Sequence, residues 1–355
     1  MTNQGATTRV APIWAIQYLR AIAAIWVVVF HQFRGHGPLF AMGSHGVDIF
    51  FVISGFIMVI MTDARAVTPG RFLLDRATRI LPLYYVATLT AYLIVAVGLH
   101  FHGAISSPLF LLKSLLFIPT HNAAMPGIYP MVYLGWTLNF EMFFYALFAV
   151  TLLAPPHRRI MVLSLVFLAF VILGYIVSHG APVWQTYTNP IILEFLAGAM
   201  LGRLFGATLQ RRAWRETIAL LAALVILSAI WSYWDDRLGF APMAIAVVGL
   251  ALIIERLGWV PHNRWLILLG NASFSIYLFQ QFGFEAVTLA YGQASRILPV
   301  LAHHGGLAHL LSVIAAIALG ILVHLFVEGP LTRAVWRWLM PARRTSSVIK
   351  AEAGR

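Results

Sequence analysis

The sequence contains no cysteine. This absence excludes disulfide bonds, thiolate metal sites and a cysteine nucleophile. Charged residues are also scarce, at 10% of the 355 residues, whereas hydrophobic residues make up 61%. So low a charge content excludes an ordinary soluble domain, and the mean hydropathy of +0.84 indicates a polytopic membrane protein.

Two sequence motifs are missing as well. The chain has no Gly-x-Ser-x-Gly elbow of the kind that carries a hydrolase nucleophile, and no Gly-rich loop that would cradle phosphate groups. The stretch Met1–Pro12 is polar, carries one arginine and lacks a cleavage-like site after a short apolar core. We therefore expect residues 1–13 to form a cytoplasmic tail rather than a removed signal peptide.

Ten apolar runs are long enough to cross a bilayer. They cover residues 14–33, 46–62, 80–98, 134–154, 160–178, 190–206, 217–234, 240–255, 267–288 and 308–327. The run Leu109–Ile118 is too short to cross and carries Lys113, so it predicts a re-entrant or interfacial helix. The expected fold is an all-α membrane bundle in one domain, residues 14–335, followed by a basic cytoplasmic tail, residues 336–355.

The basic residues give this bundle an orientation. With both termini in the cytoplasm, 19 of the 24 Lys and Arg residues fall on the inner side. Four fall on the outer side and Arg20 lies within a span, so the positive-inside rule supports this topology. The net charge of +12 is then explained by topology and by anionic lipid, which makes nucleic acid a poor candidate partner.

Arg20 and His31 both lie within the first apolar run. Eleven helical residues separate them by about 16 Å, roughly half the hydrocarbon thickness. Ionisable groups are costly inside a bilayer and by default indicate function. We therefore predict that Arg20 faces the inner half of the membrane and His31 the outer half.

Three groups able to exchange a proton fall at similar depth in the outer half. They are His31, Asp48 at the start of the second run and Glu141 in the fourth. A histidine beside a carboxylate is a common general-base arrangement, so Asp48 or Glu141 is expected to orient the His31 imidazole. The alternative is that each is a polar residue wetted by interfacial water.

On the inner side, Arg76 and Arg79 are three residues apart and share one face of a helix. Such a pair can bind phosphate as a fork. The alternative is that both arginines extend to anionic lipid headgroups.

Other polar or small residues have a weaker claim to function. The outer-loop histidines favour solvated side chains over a metal site; they are His36, His45, His100, His102, His303 and His304. Glu194 and Glu285 are expected to line a pore or lie at an interface, and Ser54 to pack between helices. Gly198, Gly202 and Gly206 repeat every four residues and predict a face of close helix contact.

Six motifs occur in order along the chain and support a family resemblance. They are Arg20-x10-His31, Gly46-Val-Asp48-Ile-Phe-Phe-Val-Ile-Ser54-Gly55-Phe56, the Arg76-x-x-Arg79-Ile-x-Pro82 loop, Trp136-Thr-Leu-Asn-Phe-Glu141-Met-Phe-Phe-Tyr145, Ser273-Phe-Ser-Ile-Tyr277-Leu, and Phe326-Val-Glu328-Gly-Pro330. Together they resemble the acyltransferase family 3 integral membrane proteins, most closely the branch that acetylates bacterial exopolysaccharides.

The resemblance implies O-acyl transfer from cytoplasmic acyl-CoA, usually acetyl-CoA, to a sugar hydroxyl on the outer side. It assigns the essential histidine to His31, its paired arginine to Arg20, the acidic position to Asp48 and the span glutamate to Glu141. Arg76 and Arg79 match the family's Arg-x-x-Arg. Two positions depart from the pattern: Phe274 replaces the first tyrosine of the Ser-Tyr-x-Ile-Tyr-Leu motif, and Gln280 stands where a histidine is usual and cannot exchange a proton.

The sequence thus predicts an O-acetyltransferase of the bacterial inner membrane. Its catalytic residues would be His31, Asp48 and Glu141; Arg20, Arg76 and Arg79 would bind acetyl-CoA, without a metal. The acceptor would be a polymeric or lipid-linked saccharide, with polysaccharide-biosynthesis proteins as possible partners. The alternative is a transporter or flippase of a lipid-linked saccharide, and either direct attack or an acyl-histidine relay would suit the residues.

Overall fold

The computed structural model describes residues 12–64, 66–177, 180–209, 214–234, 241–298 and 305–339. Most of the expected N-terminal tail, the chain from residue 340 onward and the His303–His304 pair lie outside these residues. So do nine of the basic residues used for orientation: Arg9, Arg65, Arg211, Arg212, Arg237, Arg343, Arg344, Lys350 and Arg355.

The described residues are almost entirely helical. The α-helices are α1 (Trp14–Phe33), α2 (Pro38–Ala41), α3 (Gly46–Asp63), α4 (Pro69–Ala96), α5 (Pro108–Leu115), α6 (Trp136–Thr151), α7 (Pro156–Ile176), α8 (Pro182–Tyr187), α9 (Ile192–Leu209), α10 (Trp214–Trp234), α11 (Ala241–Arg256), α12 (Arg264–Ile297), α13 (Gly305–Val323) and α14 (Gly329–Leu339). Short 3₁₀ turns at Met42–His45 and Tyr133–Gly135 lead into α3 and α6, and a π-turn at His324–Glu328 joins α13 to α14.

Each of the ten predicted apolar runs coincides with a helix. Five helical segments of the described residues are long and apolar enough to cross a membrane, namely Trp14–Phe33, Pro38–Asp63, Pro69–Ala96, Pro156–Ile176 and Gly305–Leu339. The all-helical class is therefore confirmed, while ten crossings and cytoplasmic termini stay predictions. The short run after Leu109 does form a helix, α5, and α14 continues beyond residue 335 to Leu339.

Helix α4 begins earlier than its apolar run suggests. The Thr68 side chain accepts a hydrogen bond from the backbone N–H of Arg71, and Pro69 occupies the first helical turn, where its missing N–H costs nothing. Arg76 and Arg79 consequently lie within the helix and not in a loop. Pro82 also lies inside α4, where it removes one backbone hydrogen bond.

Helices α3 and α9 make a close contact through glycine residues. A side chain at Gly198 would collide with the backbone carbonyl of Val52, and one at Gly55 with that of Phe195. Gly202 likewise faces Phe56 and Val59, whereas a side chain at Gly206 would meet no atom of a neighbouring element within 4 Å among the described residues. The predicted glycine contact face is confirmed for Gly198 and Gly202, and it brings the α3 motif residues into a fixed position.

The N-terminal end of α1 is tied to α11. The Glu255 carboxylate accepts hydrogen bonds from the backbone N–H groups of Trp14, at 3.2 Å, and Ala15, at 2.7 Å. These N–H groups have no partner within the helix, so Glu255 satisfies them and also meets the positive end of the helix dipole. Helix α1 then packs along α12, which in turn packs along α13. Arg20 and His31 are thereby held at fixed heights in the bundle.

Candidate active site

Helices α1, α3, α4, α6 and α12 enclose a cavity of about 760 Å³. Its walls combine apolar side chains with polar groups from all five helices. The polar groups are Arg20, Ser54, Arg76, Arg79, Thr137, Glu141, Tyr145, Ser273 and Tyr277. A concave, mostly apolar site with a few converging polar groups is the usual form of a ligand pocket.

Three guanidinium groups make this cavity strongly cationic. Arg20 and Arg76 are each 7% exposed, and Arg79 lines the same space. Arg20 donates from Nη1 to Gln17 Oε1 at 3.4 Å, whereas Arg76 Nε is buried without a hydrogen-bond partner in the described structure. Buried charges are costly unless paired, so these arginines indicate an anionic ligand.

Glu141 lies among these arginines and is the one carboxylate among the described residues that line the cavity. Its Oε1 accepts hydrogen bonds from Ser54 Oγ, at 3.1 Å, and from the hydroxyl of Tyr145. Ser54 was expected to pack between helices, and its hydroxyl does join α3 to α6 through Glu141, while its side chain also lines the cavity. Its partner lies on another helix, which the local sequence does not reveal.

His31 lies outside the walls of the cavity. Its Nδ1 is 2.8 Å from the backbone oxygen of Val27, and a carbonyl can only accept, so Nδ1–H donates. The neutral ring is thereby held in the tautomer that leaves Nε2 as the basic nitrogen. The imidazole packs edge-to-face against Phe30, at 5.0 Å between ring centres, and against Tyr133, at 5.6 Å. Burial raises the pKa of Tyr133, so that phenol stays neutral beside His31.

The two carboxylates expected to orient His31 bind other groups. Asp48 Oδ2 accepts a hydrogen bond from His45 Nδ1 at 2.8 Å, and the Asp48 carboxyl also meets that of Glu194, which is 1% exposed. Glu141 belongs to the arginine-lined cavity. The structure therefore brings together Arg20, Arg76, Arg79 and Glu141, places Asp48 with His45 and Glu194, and orients His31 through its own helix.

One layer of side chains separates the cavity from His31. The Tyr277 hydroxyl donates to the Leu134 carbonyl oxygen at 2.9 Å and lies 3.1 Å from Thr137 Oγ1. Thr137 and Tyr277 line the cavity, while Tyr133, the neighbour of Leu134, packs against His31. The cavity wall and His31 are thus connected through the Tyr133–Leu134 segment.

The π-turn brings a second carboxylate close to the arginines. Glu328 Oε2 accepts hydrogen bonds from Ser275 Oγ, at 2.6 Å, and from His324 Nδ1, at 2.7 Å. The negative charge of Glu328 acts on both Arg20 and Arg79. Sequence reasoning assigned Glu328 no role, although the His324–Glu328 spacing, four residues apart, was a usable signal. Single π-turns often occur at functional sites.

The remaining candidates have structural partners. Glu285 accepts from the backbone N–H of His102, at 3.1 Å, and from Gln281 Nε2, at 3.0 Å, which ties α12 to the loop after α4. Gln280 is fully buried and donates to the Tyr277 carbonyl at 2.9 Å. Within the described ranges, no group of three or more His, Asp or Glu side chains is arranged to hold a metal ion.

Comparison with known proteins agrees with the motif order. The acyltransferase domain family matches residues 13–329. The chain is 37% identical over 311 residues to the exopolysaccharide production protein ExoZ of Rhizobium meliloti (strain 1021), covering 86% of this chain and 95% of that protein. It is also 29% identical over 303 residues to the putative membrane-bound transacylase BcsY of Komagataeibacter xylinus, covering 74% of this chain and 70% of that one.

A shorter match, 31% identical over 150 residues, is to protein 2 in the picA locus of Rhizobium radiobacter, and it covers 37% of this chain and 78% of that protein. No solved structure matches the chain significantly. The family match extends over nearly all of the described helices and over every residue of the arginine-lined cavity. The chain therefore belongs to the acyltransferase 3 family.

Proposed function

We propose that this protein is an O-acetyltransferase that moves an acetyl group from cytoplasmic acetyl-CoA to a hydroxyl of an exopolysaccharide or its lipid-linked precursor. The observation that carries the proposal is the cavity with three arginines, one of which, Arg76, has an Nε with no hydrogen-bond partner among the described residues. A diphosphate-bearing thioester is an anion of the kind such a site accommodates. The similarity to an exopolysaccharide production protein supports a saccharide acceptor.

The arginines would hold the donor from the inner side. Arg76 and Arg79, one turn apart on α4, are our candidates for binding its phosphate groups, and Arg20 would contact the donor further into the bundle. Glu141, with Ser54 and Tyr145, would limit the mutual repulsion of the three cations while the cavity is empty. The proposed location is the bacterial inner membrane, with both termini in the cytoplasm.

His31 is the candidate general base. With Nδ1–H bound to the Val27 carbonyl, Nε2 can accept the proton of the acceptor hydroxyl as the oxygen attacks the thioester carbonyl. The carbon–sulfur bond then breaks, and the released CoA thiolate takes up a proton, so that the reaction neither gains nor loses one overall. An acyl-histidine relay would use the same Nε2 as nucleophile. In both routes Asp48, through His45, would act on the acceptor side and not on the imidazole directly.

The decisive experiment uses sealed membrane vesicles of known orientation that contain the full-length protein. Radiolabelled acetyl-CoA is supplied only on the cytoplasmic face, and the saccharide acceptor is confined to the opposite face. Label is expected in the acceptor. Labelling that requires donor and acceptor in the cytoplasmic compartment together would contradict transfer across the bilayer, though not acyl transfer itself.

Two controls make the result specific. Vesicles with the His31→Ala variant should bind donor but transfer no label, because the base is missing. Mass analysis of surface glycans from a deletion strain and its parent should show the loss of one O-acetyl group per acceptor unit. Unchanged glycan acetate in the deletion strain would contradict the proposed function.

A further inference from the structure

A second, smaller cavity lies where α3 ends and α4 begins. It has a volume of about 220 Å³ and is lined by Met61, Thr62, Val67, Phe72, Asp75 and Arg76. We refer to it as the α3–α4 slot. Met61 and Thr62 belong to the last turn of α3, Val67 to the connection, and Phe72, Asp75 and Arg76 to the first turns of α4.

Arg76 lines both the slot and the large cavity. Its side chain is 7% exposed, and its Nε is the buried donor that has no partner in the described structure. An anionic group placed against Arg76 would therefore have space on both sides. One side leads to Arg79 and Arg20, and the other to the slot.

The slot differs chemically from the large cavity. Its apolar walls come from Met61, Val67 and Phe72, and the Phe72 ring is braced by Phe148, at 5.3 Å between ring centres. Its acceptors are the Asp75 carboxylate, whose Oδ1 lies 2.9 Å from Arg71 Nε, and the Thr62 hydroxyl oxygen. Thr62 uses its own proton in a 2.8 Å hydrogen bond to the Met58 carbonyl, so its oxygen can only accept further donors.

Apolar walls with acceptors at the edge suit a flat nitrogen heterocycle that carries an amino group. Phosphate would not suit the slot, because the Asp75 carboxylate repels it, whereas an amino group would find acceptors there. Arg76 is shared by the slot and the large cavity, so a ligand that fills both has one part in the slot, an anionic part at Arg76 and the rest in the large cavity. A nucleotide-linked thioester has its base, phosphates and acylated arm in that order.

We propose that the α3–α4 slot binds the adenine base of the acyl donor. The inference rests on the proposed function, since it identifies the part of acetyl-CoA that lies furthest from His31. It assigns Arg76 to the phosphate next to the nucleoside and makes the slot the element that distinguishes a nucleotide-linked donor from a shorter thioester.

The test compares two donors with the purified full-length protein. Acetyl-CoA carries the adenosine group, whereas acetyl-4′-phosphopantetheine keeps the thioester arm and one phosphate but lacks the base. The Val67→Trp variant fills the slot, and Val67→Ala leaves it open. The matched control is Val97→Trp, which changes an exposed valine at the opposite end of α4.

Val67→Trp is expected to raise the KM for acetyl-CoA by roughly ten- to a hundredfold, the range that loss of base stacking gives. Its KM for acetyl-4′-phosphopantetheine should not change. Val67→Ala, which leaves the slot open, should raise the KM for acetyl-CoA less than Val67→Trp does, and Val97→Trp should keep the wild-type preference for acetyl-CoA. An equal rise for both donors, or no rise for either, would overturn the assignment.

A binding measurement separates this proposal from the proposed function. Adenosine 3′,5′-bisphosphate has the base and lacks the thioester, so it should bind the wild-type protein and bind Val67→Trp at least about tenfold more weakly. If this difference in binding is seen but the protein transfers no acetyl group, the assignment of the slot to adenine is supported and the proposed acetyltransferase function is contradicted. If the protein transfers acetyl groups but wild type and Val67→Trp bind the bisphosphate equally, the proposed function is supported and the slot assignment is contradicted.

Discussion

The part of the bundle around the large cavity and the part around His31, which we propose are the inner and outer parts in the membrane, place their polar groups in different ways. The inner cavity collects charges from several helices, with Arg20, Arg76 and Arg79 around Glu141. The outer part keeps His31 among aromatic rings, and the partner of its imidazole is a backbone carbonyl of the same helix. The first arrangement suits an anion that must be held, and the second suits a neutral base with one nitrogen left for a proton.

Burial therefore has different consequences for the arginines of the cavity and for His31. In the cavity, low dielectric would strengthen each proposed arginine–phosphate contact, so the site would gain affinity from charges that are costly when it is empty. Around His31, the aromatic rings and the Val27 carbonyl would fix the imidazole with Nε2 left free for the proposed proton transfer. If this division is right, substitutions in the two regions should change different kinetic constants.

The largest effect is expected for His31→Gln, which removes the base and keeps a polar side chain of similar size. Turnover should fall by roughly a hundredfold or more, the usual contribution of a general base. The KM for acetyl-CoA should stay within about twofold, because donor binding depends on the other region. Steady-state acetylation of a saccharide acceptor measures both constants.

His102→Gln is the matched control for this substitution. His102 is exposed and meets Tyr133 at 5.5 Å between ring centres, without contacting the cavity. It should retain most of the wild-type turnover. Near-normal acetylation by His31→Gln would show that the base lies elsewhere.

The next largest effect is expected for Arg76→Ala and Arg79→Ala, each of which removes a cation from the donor site. A charge-assisted hydrogen bond is worth about 1.5–3 kcal/mol, so each variant should raise the KM for acetyl-CoA tenfold or more. The KM for the acceptor should not change. Arg34→Ala, an exposed arginine near Phe30, serves as the control.

An unchanged donor KM in both arginine variants would mean that Arg76 and Arg79 bind lipid headgroups only. It would also remove the distinction between the two regions, since the inner cavity would then have no anion to hold.

Glu141→Gln should affect stability more than donor binding. Glutamine can still accept from Ser54 and Tyr145, but the negative charge among three arginines is lost. We expect a destabilisation of roughly 1–3 kcal/mol, seen as a lower midpoint of thermal unfolding in detergent, and no rise in the KM for acetyl-CoA. Glu285→Gln, outside the cavity, should change the midpoint less. A donor KM that rises with Glu141→Gln would instead place this carboxylate in contact with the donor.

The smallest effects on stability are expected for a Tyr→Phe substitution, made once in each of the two regions. Tyr145→Phe removes a hydroxyl that binds Glu141 and should cost about 1 kcal/mol of stability. Tyr133→Phe keeps the ring that packs on His31, and within the described part of the chain its hydroxyl has no hydrogen-bond partner, so the cost should be below about 0.5 kcal/mol. Equal losses would contradict the view that the outer site depends on ring packing and the inner one on charge.

The sequence predicted more about the inner site than about the outer one. Arg76 and Arg79 are three residues apart, so helical periodicity alone puts them on one face, and the structure places both in the cavity. The expected pairing of His31 with Asp48 or Glu141 relied on similar depth in the membrane. Depth fixes a height along the bundle but not the direction in which a side chain points, and Asp48 and Glu141 face other partners.

The sequence by itself determined the helical class, the positions of the ten apolar runs, the family and the height of Arg20 relative to His31. The family depends on the order of motifs along the whole chain, and the others depend on local composition or on the rise per residue, which neighbouring residues determine. The tertiary structure decided that Ser54 and Tyr145 bind Glu141, that Ser275 and His324 hold Glu328, and that Arg76 lies between two cavities. Those contacts join helices that are far apart in sequence. They depend on how each helix is rotated about its axis relative to its neighbours. Close packing, such as that at Gly55 and Gly198, fixes this rotation only in the assembled bundle.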